Sequence, residues 1–200
     1  AADALNPQPG EVVIDVCAAP GGKSLAIAEA MDDKGTLYSC DIYEHKLKLI
    51  EEQAKRLGLT IVNPTLLDGS IGDAAFDGCS NLTSVVIPNG VTSIGDYAFQ
   101  DCSSLASVII GNGVTNIGDD AFNHCGSLMD VVIPYGVINI GSGAFAYCGN
   151  LTTITIPGTV ECIGDQAFMK CKKLTIKGYA DSCAQKYAKA NKIHFVLIDE

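Results

Sequence analysis

The sequence predicts an α/β protein in which two strand–helix units continue through a shared parallel sheet into a repeat solenoid, closed by a helix and a strand. Before about Leu59 single strands alternate with helices, and after it a unit of 23 residues recurs. Alternating strands and helices indicate a parallel sheet, and a fixed period of this length indicates a solenoid. The predicted organisation is 1–62 for the strand–helix units, 63–175 for the repeats and 176–200 for the cap.

The first 62 residues contain two strand–turn–helix patterns. GEVVIDVCAAPGGKSLAIAEAM predicts a buried strand from Glu11 to Cys17, a tight turn through Pro20, Gly21 and Gly22, and a helix. TLYSCDIYEHKLKLIEEQAKRLG predicts a strand from Thr36 to Cys40 and an amphipathic helix that ends at Gly58. The residues expected on the buried face of that helix are Leu47, Ile50, Ala54 and Leu57.

A glycine-rich turn between a strand and a helix is typical of nucleotide-like cofactor sites, because it presents backbone N–H groups to the ligand. Asp41 lies 19 residues after Gly22, a spacing from which a carboxylate accepts hydrogen bonds from ribose hydroxyls. The alternative is structural: Gly21 and Gly22 serve only the turn, and Asp15 and Asp41 only cap helices.

The combination of DVCAAPGGKS with CDIYEHKLKLIEEQAKRLGL resembles the start of the Rossmann-like S-adenosylmethionine-binding domain of bacterial ribosomal-RNA cytosine-C5 methyltransferases. The resemblance covers about residues 4 to 62. It implies that the turn wraps the methionine part of the cofactor and that Asp41 binds the ribose. Lys46 stands where the family often has arginine. The implied cofactor-binding residues are Ala18, Ala19, Pro20, Gly21, Gly22, Lys23, Asp41 and Lys46.

The same resemblance implies that later strands should supply an acid near the adenine and two cysteines, one after proline and one after threonine. The sequence contains no Pro-Cys and no Thr-Cys pair. Cys17 and Cys40 are expected inside strands beneath the cofactor, without a matched general acid, so they do not replace the missing pair. We therefore predict no catalytic residues, no enzyme activity and no cofactor, with weak S-adenosylmethionine binding as the alternative.

The repeat is marked by columns of identical residues. One unit reads NLTSVVIPNGVTSIGDYAFQDCS, in which Leu82, Val85 and Ile87 are expected to point inward from a short strand. Aspartates before the Ala-Phe pair are expected to cap a short helix, and Cys, three residues after Phe, to lie in a buried column of free thiols. The three-residue spacing of Phe99, Cys102 and Leu105 predicts a tight helical or 3₁₀ turn that faces the stack. The column members are Phe76, Phe99, Phe122, Phe145 and Phe168; Cys79, Cys102, Cys125, Cys148 and Cys171; and Asp73, Asp96, Asp119 and Asp165.

The pattern A-F-x-x-C-x-x-L followed by V-x-I-P and V-x-x-I-G resembles the BspA-like leucine-rich repeats of bacterial surface and adhesion proteins, from about Leu66 onward. The segment LTIKGYADSCAQKYAKANKIHFVLI resembles the C-terminal cap of such arrays. It predicts a helix from Ser182 to Lys189 and a strand from His194 to Ile198. A polar cap of this kind closes the open end of the stack.

Charge and composition restrict the partners. The formal charge is −10, and no Lys or Arg occurs between Arg56 and Lys170, which argues against nucleic-acid binding by the repeats. The absence of C-x-x-C pairs argues against a metal site. No apolar run approaches about 20 residues and no basic leader opens the sequence, so a soluble protein without a signal peptide, cytoplasmic if expressed as it stands, is expected.

The outward side chains of the repeat strands form the candidate surface for a protein partner or for self-association. One row is polar and the other apolar; the alternative is that β-branched residues simply suit strands. The rows are Ser84, Ser107, Asp130 and Thr153, and Val86, Ile109, Val132 and Thr155.

The repeat register continues into the first half, since LTIVNPTLLDGSIGD aligns with LTSVVIPNGVTSIGD. We therefore expect the strand near Leu59 to Asn63 to pair with Thr36 to Cys40 on one side and with Leu82 to Ile87 on the other. The first half would then cap the solenoid. The function predicted is that of a recombined or engineered, non-catalytic chimera that acts as a structural scaffold or interaction module.

Overall fold

The computed structural model describes residues 7–15, 21–41, 44–66 and 69–198. Within these ranges the helices are α1 (Gly22–Ala30), α2 (Glu44–Leu57) and α3 (Cys183–Asn191). The strands of the first half and first repeats are β1 (Val12–Asp15), β2 (Thr36–Asp41), β3 (Val62–Leu66), β4 (Ser70–Ile71), β5 (Leu82–Ile87), β6 (Ser93–Ile94) and β7 (Ser107–Ile110). The remaining strands are β8 (Asn116–Ile117), β9 (Asp130–Val132), β10 (Asn139–Ile140), β11 (Thr153–Thr155), β12 (Cys162–Ile163), β13 (Thr175–Gly178) and β14 (His194–Leu197).

One parallel sheet crosses from the first half into the repeats, in the order β3-β2-β1-β5-β7. The predicted shared sheet is confirmed, and so is the predicted pairing of the third strand with Thr36–Cys40, but its predicted pairing with Leu82–Ile87 is wrong. The first long repeat strand, β5, pairs with β1, and Ile14 faces Val85 across that ladder. β3 pairs with β2 and lies at the opposite edge of the sheet.

The position of β3 has two causes in its own sequence. Pro64 lies within the strand and has no backbone N–H, which favours an edge position. The preceding Leu-Thr does not open a repeat, because Asp33 accepts hydrogen bonds from the Thr60 amide at 2.7 Å and the Thr60 hydroxyl at 2.9 Å. These bonds hold the start of β3 against the loop that follows α1.

The two faces of β1 have different partners. Val13 packs with Leu37 and with the apolar side of α1, whereas Ile14 belongs to the core of the repeats. Both side chains are almost fully buried. A strand buried on both faces occupies the interior of a parallel sheet, which explains why β1 lies between β2 and β5.

Helix α2 covers the same side of the sheet as α1, where Leu47 and Ile50 pack with Val62. Ala54 is also buried, as predicted. Leu57 was expected inside and is 48% exposed, because it lies in the last turn, where the helix ends before Gly58 at φ 71°.

The repeats contribute a short strand and a longer strand in turn, and both kinds of strand pair in parallel. The short strands form the sheet β4-β6-β8-β10-β12, and the later long strands form β9-β11-β13-β14. The segment expected to form a short helix or 3₁₀ turn is a pair of tight turns: the amides of Gln100 and Cys102 bond to carbonyls three residues earlier, as in a 3₁₀ turn. Tyr97 and Asp101 have positive φ values of 59° and 55°, which are incompatible with a right-handed helix.

The phenylalanines form a continuous stack through the repeats. The rings of Phe99, Phe122 and Phe145 follow one another at 5.2 Å between centroids. Each buried cysteine donates its thiol to the carbonyl of a phenylalanine in the preceding repeat, as Cys125 does to Phe99 at 3.2 Å. Cys79 departs from the prediction, since it belongs to the first repeat and is exposed. The eight cysteines in the described part of the chain are free thiols.

The repeat aspartates have a structural role, but a different one from the expected helix cap. The carboxylate of Asp73 accepts the backbone N–H of Asp96 at 2.9 Å, and that of Asp96 accepts the N–H of Asp119 at 2.8 Å. Asp119 in turn accepts the N–H of Ser142 at 2.7 Å. The ladder therefore links successive repeats rather than the ends of one turn.

The C-terminal cap has the predicted order of helix and strand. Ser182 caps α3 by accepting the N–H of Gln185, and β14 pairs in parallel with β13. Tyr187 meets the last ring of the stack, Phe168, edge to face at 5.6 Å. The cap therefore closes the phenylalanine stack and extends one of its sheets.

Candidate functional site

The residues predicted to bind a cofactor lie at the carboxyl ends of β1 and β2. Asp15 ends β1 and Asp41 ends β2, and the two side chains are 1% and 4% exposed. Ligands of open parallel sheets bind outside this edge, next to the strand where the order reverses. That strand is β1, because the chain runs outward to β3 and then returns to β5 on the other side. Ala18, Ala19 and Pro20 lie outside the described residues.

Gly21 is fixed by the fold. It precedes the first turn of α1 at φ 103°, a conformation that disfavours other residues. A Cβ on Gly21 would lie 3.2 Å from Cγ1 of Ile50 in α2. The requirements of the turn are therefore sufficient to explain glycine at position 21.

Gly22 differs from its neighbour. Its φ is not in the left-handed region, and a Cβ built there would have no described atom within 4 Å outside the adjacent residues. Glycine at the start of a helix lowers stability relative to alanine, by about 1 kcal/mol in helix interiors. Among the described atoms nothing requires glycine here, which leaves room for a ligand against the backbone.

Two lysines face the two carboxylates. Lys23 Nζ lies 3.6 Å from Asp15 Oδ1, and Lys46 Nζ lies 3.9 Å from Asp41 Oδ1. Asp15 also accepts a hydrogen bond of 2.8 Å from the buried hydroxyl of Ser24. This bond connects the end of β1 to the first turn of α1 through a side chain.

Cys40 lies inside β2 and is fully buried. Burial is the main cause that raises the pKa of its thiol to about 12; the hydrogen bond with Thr65 opposes this rise and the charge of Asp15 adds to it. A nucleophilic cysteine needs its thiolate near neutral pH. The environment of Cys40 therefore opposes nucleophilic catalysis; Cys17 lies outside the described residues.

The outward rows of the repeat strands are covered at one end by the first half. Ser84 is buried and Val86 is partly buried, because they share the face on which α1 packs. Farther along the row, Ile109 is 39% and Val132 65% exposed. No ladder joins β7 to β9, and an apolar cavity of about 450 Å³ lies at this break. Tyr135 borders it, and its hydroxyl lies 2.7 Å from that of Tyr179.

The described ranges were also searched for metal sites and for membrane-spanning helices. No group of three His, Cys, Asp or Glu side chains there is arranged to hold a metal ion. Within the same ranges, no helix is both long and apolar enough to cross a membrane.

The fold and the site define a fusion of two classes: a Rossmann-like fragment with a glycine-rich turn, and a leucine-rich-repeat solenoid. The family model of the BspA type leucine rich repeat region matches six copies over residues 68–185, and the chain belongs to this family. The model of the 16S rRNA methyltransferase RsmB/F matches residues 2–79. The two matches overlap at the junction.

Individual relatives divide in the same way. The probable ribosomal RNA small subunit methyltransferase B of Bacillus subtilis is 50% identical over 76 residues, which are 38% of this chain and 17% of the relative. The human tRNA (cytosine(72)-C(5))-methyltransferase NSUN6 is 44% identical over 66 residues, 33% of this chain and 14% of the relative. The chain thus spans less than a fifth of either methyltransferase.

A solved structure supports the repeat half. The leucine-rich repeat protein TpLRR of T. pallidum has a TM-score of 0.55 and is 34% identical, and the match covers 58% of this chain and 57% of that protein. The chain is therefore a fusion of a methyltransferase-like fragment with BspA-type repeats.

Proposed function

We propose that this chain is a non-catalytic structural scaffold, in which the methyltransferase-like fragment caps the first long strand of the solenoid. The observation that carries the proposal is the parallel pairing of β1 with β5, which places Ile14 opposite Val85. An unpaired strand at the end of a stack would invite association with other chains. Strand β1 pairs with that edge, and the helices beside β1 cover the sheet there.

The lack of catalysis is supported by the sequence and by the site. The sequence has neither the Pro-Cys nor the Thr-Cys pair that the methyltransferase resemblance requires. In the turn after β5, for example, Pro88 is followed by Asn89 and not by cysteine. Burial and the raised pKa argue against Cys40 as a nucleophile. We also propose that the fusion is recombined or engineered, since the two segments match different families and meet inside one sheet.

Differential scanning calorimetry tests the structural role. A shared sheet and core predict one cooperative transition for the intact chain. Two well-separated transitions would contradict it, because they would mean that the fragment and the repeats unfold independently. A methyl-transfer assay with labelled S-adenosylmethionine and ribosomal RNA is expected to give no incorporation above a protein-free control.

The interaction role rests on the exposed end of the apolar row. Ile109 and Val132 are β-branched, exposed and adjacent to the apolar cavity at the break between β7 and β9. If this surface binds a second copy, Ile109→Asp or Val132→Asp will reduce association in analytical ultracentrifugation. Leu49→Asp, on the exposed side of α2, is the matched control. A wild-type chain that stays monomeric at all concentrations would refute self-association.

A second candidate function is weak binding of S-adenosylmethionine at the carboxyl ends of β1 and β2. The open space beside Gly22 and the buried Asp41 support it. Without the later strands of a complete cofactor domain, we expect a dissociation constant of about 1 mM, about 4 kcal/mol of binding. Backbone-amide NMR would test this: unchanged resonances of Gly21, Gly22 and Asp41 at saturating cofactor would exclude it.

A further inference from the structure

The charges of this chain are separated along its length. Residues 57–169 contain ten acidic side chains and no Lys or Arg, whereas residues 170–200 contain seven lysines and three acids, Asp181, Asp199 and Glu200. The solenoid is therefore acidic and its C-terminal end is basic. Such a segregated basic end attracts anions over a range set by the ionic strength.

The basic end contains an open cavity of about 680 Å³ between the last repeat and α3. The buried Leu174 and the partly buried Tyr187 are among the residues that line it. The volume is in the range of small-molecule sites. None of the residues that line it is acidic. The cationic and imidazole side chains at its rim are Lys170, Lys172, Lys173, Lys192 and His194.

Three of these lysines depart from the repeat pattern. The four preceding repeats have no cation at any equivalent position. The equivalents of Lys170 are Gly78, Asp101, His124 and Tyr147; those of Lys172 are Ser80, Ser103, Gly126 and Gly149; those of Lys173 are Asn81, Ser104, Ser127 and Asn150. The stacking of the repeats therefore does not require lysine here.

The lysines are arranged so that one ligand can reach several of them. Lys170, Lys172 and Lys173 follow one another in the last repeat, and Lys192 faces the same cavity from the end of α3. Lys173 donates to Asn150 Oδ1 of the preceding repeat at 3.3 Å. Ammonium groups bind phosphate oxygens as charge-assisted donors.

We propose that this cavity binds a small ligand that carries several linked phosphates. Because four lysines line one cavity, a chain of linked phosphates can contact more of them than a single small anion can. The acidic solenoid excludes the same ligand from the rest of the repeat surface.

Titration calorimetry with sodium tripolyphosphate tests the proposal, with sodium sulfate at equal ionic strength as the comparison. We expect saturable binding of one tripolyphosphate per chain and at least about tenfold weaker binding of sulfate. Raising the salt from about 50 to about 200 mM should weaken binding severalfold. Equal affinity for the two anions would overturn the proposal.

Variants locate the site. The triple change Lys170→Gln, Lys172→Gln and Lys173→Gln is expected to weaken tripolyphosphate binding at least about tenfold, since it removes three charge-assisted contacts. The control Lys34→Gln, Lys48→Gln and Lys55→Gln alters net charge equally at exposed positions in the first half. It should change affinity less than about twofold.

Two further results would overturn the proposal. Equal losses in the triple variant and its control would mean that net charge, and not the cavity, governs binding. A single-stranded oligonucleotide that binds more tightly than tripolyphosphate would mean that the basic end serves a macromolecule. Circular dichroism of both variants, expected to match the unmodified chain, ensures that a loss of binding is not a loss of fold.

Discussion

Ile14 and Val85 are Cα partners in the parallel ladder that joins the methyltransferase-like fragment to the solenoid. Ile14 is 1% exposed and Val85 is fully buried, and both belong to the core that runs through the repeats. The junction is therefore a packed interior and not a linker.

Truncating this junction should destabilise the whole chain. We expect Ile14→Ala to lower the free energy of unfolding by about 2–5 kcal/mol, because it leaves a cavity between the two halves. Urea unfolding, followed by circular dichroism, measures this. The transition should stay single. Leu49→Ala, at a position 45% exposed, should cost well below about 1 kcal/mol. A loss of ellipticity for only the first half would contradict the shared core.

The phenylalanine stack predicts a position-dependent cost. Phe122 lies between two rings and is fully buried, whereas Phe76 begins the stack and is only partly buried. Phe122→Ala should cost about 3–5 kcal/mol, and Phe76→Ala at least about 1 kcal/mol less. Guanidinium unfolding of both variants measures the difference. Equal losses of unfolding free energy in the two variants would contradict the idea that a ring inside the stack contributes more than a ring at its end.

The aspartate ladder predicts a smaller, local effect. Asp96→Ala removes the acceptor of the Asp119 N–H and should cost about 1 kcal/mol in unfolding free energy. Hydrogen exchange of the Asp119 amide should accelerate in the same variant. Asp77→Ala, at an exposed acid in a neighbouring turn, is the control. If both variants lose equal stability, the loss reflects charge and not the ladder.

The buried thiols predict a fall in stability at high pH. Burial raises the pKa of Cys102 to about 12 and that of Cys171 to about 11, above the ordinary value of 9.0. The folded state thus keeps these protons while the unfolded state releases them. Their contribution is complete below about pH 9 and is lost as the pH rises toward the folded-state values.

Unfolding free energies at pH 8 and pH 10 measure this dependence. Stability should be lower at pH 10, and Cys171→Ala should narrow the difference because it removes one of the titrating groups. Tyrosines and lysines are unchanged in that variant, so they do not account for the narrowing. An identical pH dependence in the variant would contradict the assignment.

Substitutions of the two turn glycines distinguish a structural role from a role in ligand binding. Gly21→Ala should destabilise by more than about 1 kcal/mol, because φ is 103° and Ile50 lies close. Gly22→Ala should leave stability unchanged or slightly higher. If S-adenosylmethionine binds, Gly22→Ala should also weaken it, since the methyl group fills the open space beside the backbone. A binding signal untouched by this change would place the ligand elsewhere.

The sequence by itself determined the period, the inward columns and the order of strand, turn and helix, because burial repeats with the geometry of each element. It also identified both families. The prediction of a short helix that holds each Ala-Phe pair was wrong, because residues such as Tyr97 and Asp101 adopt positive φ values that their residue types do not predict. The prediction that the aspartates cap helices was also wrong, because their hydrogen bonds join residues of successive repeats, 23 positions apart.

Only the tertiary structure decided which strands meet at the junction and where the candidate sites lie. The repeat register of the sequence predicts which face of a strand is buried, but it does not predict which strand lies beside it. The Leu-Thr at position 59 therefore matches the repeat pattern without forming a repeat. Pro64 within β3 and the doubly buried β1 were the available signals. The pairing of Asp15 with Ser24, and the cavity beneath the C-terminal lysines, depend on contacts between segments distant in sequence.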